Sequence, residues 1–167
     1  MNDELKSPRK TRPRRSGPFI IHNSSFSIFS WPVRVYYEDT DLGGVVYYAN
    51  YLKFMERART EWLRALGFEQ TALVRDHGAV FVVSSLAIDY LKPAAFNDEL
   101  TVTVELEKLG AVQIMLKQRI ARGAESLATA SVRIACVNTA TFRPVRIPSN
   151  LSAALGRQVA KAKPPED

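Results

Sequence analysis

The sequence predicts an α+β fold in which one antiparallel sheet wraps a single long helix. Three observations lead there. Residues 50–66 carry a helical pattern whose apolar side is too wide for a surface helix. Long β-patterned segments follow it. Most joints between those segments are tight turns, which make consecutive strands antiparallel neighbours. At 167 residues the chain is one domain by length and long enough to bury a sizeable core.

Residues 31–37 (WPVRVYY) are aromatic and β-branched and are expected as the first strand. In the helix, Tyr51, Leu52, Phe54, Met55, Ala58, Trp62, Leu63, Ala65 and Leu66 fill an arc of about 180° at about 100° per residue. Lys53, Arg57, Thr60 and Arg64 take the opposite side, and Gly67 stands where a left-handed C-cap is wanted. A shorter helix is expected over residues 69–77, ending at Gly78. Strands follow at 81–91, 100–109, 112–120 and 126–137, most clearly where Val102, Val104 and Leu106 alternate with Thr101, Thr103, Glu105 and Glu107. Gly110 and Arg122-Gly123 supply turns between them. Pro144 and Pro148 close the sheet, and Ser149 caps a short last helix before a charged tail at 157–167.

Charge divides the chain unevenly. Lys6, Arg9, Lys10, Arg12, Arg14 and Arg15 against Asp3 and Glu4 give residues 1–30 a net +4, out of +6 for the whole. The remainder is nearly balanced, so the basicity belongs to an extension and the domain itself is not expected to bind nucleic acid. The stretch KSPRKTRPRRSG is Pro-rich and almost without apolar residues, so residues 1–30 are read as a disordered basic extension before a domain at 31–156. That extension leaves membrane association open without favouring it. No apolar run approaches the roughly 20 residues that span a bilayer. The single cysteine, Cys136, sits in a strand pattern; it forbids an intramolecular disulfide and fits a reducing compartment, the cytoplasm.

The chemistry is concentrated in EDTDLGGVVYYANY, residues 38–51. An acid opens a Gly-Gly turn, with Gly44 placed for positive φ and for close approach of a ligand to the backbone. The helix start near Asn50 leaves main-chain N–H groups unpaired, with the positive end of the dipole beside them. Such amides stabilise a developing oxyanion by about 3 kcal/mol per donor, and a carboxylate a few residues upstream can act as nucleophile or general base. A thioester suits this equipment. Its thiol has a pKa of about 8.5, so the leaving group departs without a strong acid. No serine-histidine-aspartate arrangement is evident, because the only histidines are His22 and His77. Nor is there a metal-ligand spacing or a phosphate-binding glycine motif, so no metal and no cofactor is expected.

VRVYYEDTDLGGVVYYANYLKFMERARTEWLRALGF, with DYLKPA at residues 89–94, strongly resembles the hotdog-fold acyl-CoA thioesterases of the Tol-Pal-associated YbgC type, related to the 4-hydroxybenzoyl-CoA thioesterases. The resemblance covers residues 31–148. It implies a hotdog fold, hydrolysis of acyl-CoA to a carboxylic acid and CoA, and Asp41 as the catalytic carboxylate. The main-chain N–H of Tyr48 would be the oxyanion donor. It also implies a homo-oligomer, a dimer or a dimer of dimers, with the site at a subunit interface. YbgC-type members usually carry histidine at the position of Tyr48; the tyrosine leaves the backbone role intact and puts any imidazole-assisted proton transfer in doubt. Gly44, Tyr47 and Lys108 are candidate substrate contacts, Lys108 for the CoA phosphates.

Supporting roles fall to three residues. Asn50 is read as the helix N-cap. Arg59 lies inside the apolar arc, where an unpaired charge is costly, so a pairing with Glu56 or with a carboxylate of residues 38–41 is expected. A non-catalytic hotdog adaptor that binds acyl-CoA or acyl carrier protein is the alternative function, and a hotdog dehydratase is disfavoured for want of a catalytic histidine.

Overall fold

The computed structural model describes residues 19–23 and 26–160. The expected disorder of the basic stretch falls outside them, as do residues 161–167 of the expected C-terminal tail. Within them the order is β1 (Phe19–Asn23), β2 (Phe26–Arg34), a 3-10 turn at Tyr37–Asp39, α1 (Asn50–Ala65), α2 (Gln70–His77), β3 (Ala79–Tyr90), β4 (Glu99–Leu109), β5 (Gln113–Arg122), β6 (Glu125–Asn138) and α3 (Ser149–Ala160). The strands form one six-stranded sheet in the order β1-β2-β4-β5-β6-β3, and each neighbouring pair is antiparallel. The four strands after α2 lie where the alternation put them.

Three boundaries differ from expectation. The first domain strand begins at Phe26, not Trp31, and pairs with β1, so residues 19–30 hold a strand pair where disorder was expected. Pairing is the reason: Phe29 sits opposite Val104 on β4 and is buried. That strand also ends at Arg34, because the Asp39 carboxylate accepts the Tyr36 N–H at 2.8 Å and turns the chain into the 3-10 turn. At the other end α3 continues to Ala160, past the expected boundary at residue 156.

Helix α1 packs on β2, β4 and β5. Phe54, Met55 and Ala58 are fully buried against Val102, Val104, Leu116 and Ile120 of the sheet. Gly67, at φ 87°, ends the helix: the Phe68 N–H donates to Leu63 O and the Gly67 N–H to Arg64 O, each at 2.9 Å, the paired bonds of a Schellman cap. Beyond α1, helix α2 packs on β3, and α3 covers β2 and β4 with Leu151 and Leu155. Strand β3 ends the sheet with one edge unpaired, and Val83 and Tyr90 on it are about half exposed. Among the described residues no helix is long and apolar enough to cross a membrane.

Candidate active site

The stretch after the 3-10 turn folds as a miniature hairpin. The Asp41 N–H donates to Val45 O at 2.9 Å, the Gly44 N–H to Asp41 O at 3.0 Å, and Thr40 bridges Val46. Asp41 thus opens a β-turn whose fourth residue, Gly44, takes φ 74°. This is the loop built from a turn followed by a left-handed residue, and only Gly44 of the glycine pair needs positive φ. Gly43 serves differently: its N–H donates to Asp41 Oδ1 at 2.8 Å, and a Cβ there would lie 3.1 Å from the same oxygen. The turn holds one carboxylate oxygen and leaves the other unengaged among the described residues.

The hairpin is tied to the helix start by two bonds to one carbonyl. Asp39 O accepts the Tyr47 N–H at 2.9 Å and Asn50 Nδ2 at 3.0 Å. This corrects the reading of Asn50 as N-cap. Ala49 holds that position in helical geometry with no side-chain cap, and Asn50, the first helical residue, spends its buried amide on Asp39 O of the hairpin. The start of α1 has no side-chain cap and no acid in its first turn, and its Asn50 N–H donates to Tyr47 O at 2.8 Å. Among the described residues nothing accepts the Tyr48 N–H.

Asp41, Tyr47, Tyr48, Tyr51, Tyr90 and Lys92 line one cavity of about 370 Å³. Tyr51 is buried and its hydroxyl accepts the Ala94 N–H at 2.9 Å; burial pushes its phenol above the ordinary value. Tyr90 donates its hydroxyl to Tyr48 O at 2.9 Å and packs edge-on against the rings of Tyr48 and Tyr51. Its phenol is raised by burial and then by the neighbouring tyrosines, so at neutral pH it stays protonated and keeps donating. Because that bond orients the peptide carrying the Tyr48 carbonyl, Tyr90→Phe is expected to lower turnover by about 10-fold through one lost hydrogen bond, checked by kcat at saturating thioester.

Lys92, at the cavity, belongs to a chain of charges. Lys92 Nζ meets Glu125 at 2.5 Å, Arg122 meets Glu125 and Asp98 at 2.6 Å each, and Asp98 accepts the Ala95 N–H at 2.9 Å. Lys92 and Arg122 hold the Glu125 carboxyl below its ordinary value. Lys92, within the DYLKPA segment, is the cation at this cavity, and sequence reasoning passed over it. Lys108 is not there: it sits at the bulge near the opposite end of β4, exposed. Gly44 does not line the cavity either.

The helix brace also differs from expectation. Arg59 pairs with neither Glu56 nor residues 38–41: its Nη1 donates to Gln118 Oε1 at 2.8 Å, while Glu56 takes the Thr60 hydroxyl at 2.7 Å. Gln118 is the reason. It is a buried amide in phase with the apolar face of β5, and its Nε2 donates to Met55 O at 3.1 Å. A polar residue falling on the apolar beat of a strand was the signal for it. Cys136 is buried, which pushes its thiol up and away from reactivity.

Known proteins resemble this chain in sequence and in fold. The acyl-CoA thioesterase YbgC of Haemophilus influenzae is 48% identical over 126 residues, 75% of this chain and 93% of that protein. The acyl-CoA thioester hydrolase YbgC of Escherichia coli O157:H7 is 41% identical over 128 residues, covering 76% and 95%. Among solved structures, a probable thioesterase from Bartonella henselae superposes with a TM-score of 0.70 at 37% identity, over 72% of this chain and 99% of that one. The model of the thioesterase-like superfamily matches residues 35–155. By fold and by sequence, the chain belongs to the thioesterase-like hotdog superfamily.

Proposed function

We propose that Asp41 and the Tyr48 main-chain N–H carry out acyl-CoA hydrolysis in this chain, which by its family is an acyl-CoA thioesterase. The observation that carries the assignment is that Asp41 and Tyr48 line one cavity beside a helix start, with Asp41 held by the Gly43 N–H and the Tyr48 N–H without an acceptor among the described residues. Water attacks the thioester carbon and gives its proton to Asp41; the carbonyl oxygen becomes the oxyanion at the Tyr48 N–H. Collapse breaks the C–S bond, and the proton on Asp41 goes to the departing thiolate. In the nucleophilic version Asp41 attacks first, CoA leaves, and water cleaves the mixed anhydride.

The cavity opens toward the unpaired edge of β3, where Tyr90 and Leu91 are about half exposed. A second copy meeting that edge closes the site, in a dimer or a dimer of dimers. Lys92, which lines the cavity where Lys108 does not, replaces Lys108 as the candidate cation for the CoA phosphates. Acyl carrier protein is a further candidate donor, and the cytoplasm, where CoA thioesters are made, is the proposed setting.

The test is hydrolysis of a panel of acyl- and aryl-CoA thioesters by the wild type and Tyr48→Phe. Turnover of at least one thioester is expected, with Tyr48→Phe within about 3-fold of wild type because the backbone carries the role. Binding without hydrolysis across the panel would favour the adaptor, and a collapse in Tyr48→Phe would move the role to the phenol.

A further inference from the structure

The Tyr48 N–H belongs to the peptide that joins Tyr47 to Tyr48. In a planar trans peptide the N–H points opposite to the C=O, so fixing one aims the other. Here the Tyr47 C=O is fixed: it accepts the Asn50 N–H at 2.8 Å. The Tyr47 N–H is fixed as well, on Asp39 O at 2.9 Å. Asn50 joins these two anchors, because its buried Nδ2 donates to the same Asp39 O at 3.0 Å. Asp39 is itself held, its buried carboxylate accepting the Tyr36 N–H at 2.8 Å. The result is a closed ring of hydrogen bonds through Asp39, Tyr47 and Asn50. On the far side of Tyr48 the next peptide is held separately, by the Tyr90 hydroxyl on Tyr48 O.

From this ring we infer that Asn50 is a positioning residue for the oxyanion donor: its amide fixes the peptide between Tyr47 and Tyr48, so the Tyr48 N–H is aimed before a thioester arrives. This role rests on the proposed function of the Tyr48 N–H and names the group that aims it. A donor aimed in advance needs no reorganisation as charge develops, which is where such donors gain their effect. The residue type fits. A primary amide brings two N–H donors without charge, whereas an ionised carboxylate of the same shape brings acceptors only. Support of the helix accounts for Asn50 less well. Ala49 holds the N-cap position, and asparagine is a weaker helix former than alanine. An acid in the first turn would complement the helix dipole, and α1 has none there.

Two substitutions in the full chain test it. Asn50→Ala removes the amide, and Asn50→Asp keeps its size while replacing the donor with an acceptor. Each is expected to lower kcat on a hydrolysed acyl-CoA by about 10-fold, the effect of one hydrogen bond. KM should stay within about 2-fold, because the lost interaction acts in the transition state. Asn50→Ala brings no charge, so a fall in both variants excludes a field effect of the new carboxylate. Asn50→Asp places an acid in the first turn of α1, which favours a helix. A merely structural role therefore predicts that Asn50→Asp folds and turns over like the wild type. The direct readout is the carbonyl stretch of an isotope-labelled thioester bound to Asp41→Asn protein. An aimed N–H polarises that bond and lowers its frequency; adding either Asn50 substitution is expected to return it toward the value of free thioester. Wild-type kcat and an unchanged stretch in Asn50→Asp would overturn the inference, even if Asn50→Ala does not fold. A lower melting temperature with unchanged turnover per folded molecule would overturn it equally. A stretch already at the free value with Asn50 in place would remove the Tyr48 N–H from the reaction, and the positioning role with it.

Discussion

Asp41→Asn is expected to lower acyl-CoA turnover by about 10³-fold, or about 4 kcal/mol in barrier, within the range for loss of a positioned acid-base group. The substitution isolates chemistry from architecture. Asparagine keeps an oxygen where Asp41 Oδ1 accepts the Gly43 N–H, so the turn closes as before. What disappears is the basicity and nucleophilicity of the second oxygen. The Tyr48 N–H and the helix start remain to polarise the thioester, which is why residual hydrolysis above the uncatalysed rate is expected. Asp41 is exposed in the single chain, so the melting temperature should barely move. Release of free CoA thiol under saturating substrate is the measurement, and unchanged turnover would remove Asp41 from the mechanism. Single-turnover hydrolysis by the wild type in ¹⁸O water then separates the two routes: an anhydride cleaved at Asp41 leaves solvent oxygen on that carboxyl, whereas general-base attack does not.

What the sequence made legible follows its periodicities. The wide apolar arc of α1 required enclosure, and β2, β4 and β5 enclose it. Alternation placed β4 to within a residue at its start. The acid, the Gly-Gly turn and the helix start converge because the hairpin they specify is only a few residues long, so local rules were sufficient. The misreadings at the site involve contacts beyond the nearest neighbours in the chain. Asn50 looks like a cap from its neighbours, yet its amide reaches back to Asp39 O across the hairpin. Arg59 looks like half of a helical pair, yet its partner is Gln118, 59 positions away on β5. Lys108 was chosen for its turn, but strand direction carries that turn to the far end of the sheet from Tyr90 and Lys92. Side-chain alternation says which face a residue takes and nothing about which end of the sheet holds the site.

Phe54→Ala is the variant with the largest expected cost to folding, about 3–5 kcal/mol. Phe54 has no exposed surface and sits on α1 where the helix crosses the sheet. Its ring lies 6.3 Å from that of Tyr51, tilted by 55°. Truncation therefore removes apolar contact and opens a cavity that neither helix nor sheet can close, since both are fixed by their own backbone bonds. Against a total stability of roughly 5–15 kcal/mol the loss is a large fraction. Phe54→Leu fills most of the volume and is expected to cost less, about 1–1.5 kcal/mol. Chemical denaturation at one fixed protein concentration measures both, so that any self-association weighs on each variant alike. A cost below about 1 kcal/mol for the alanine variant would mean that α1 is not enclosed by the sheet. Turnover per folded molecule supplies the cross-check: Phe54→Ala should lose folded protein faster than it loses rate, the reverse of Asp41→Asn. The two variants thus separate the helix that supports the site from the carboxylate proposed to act in it.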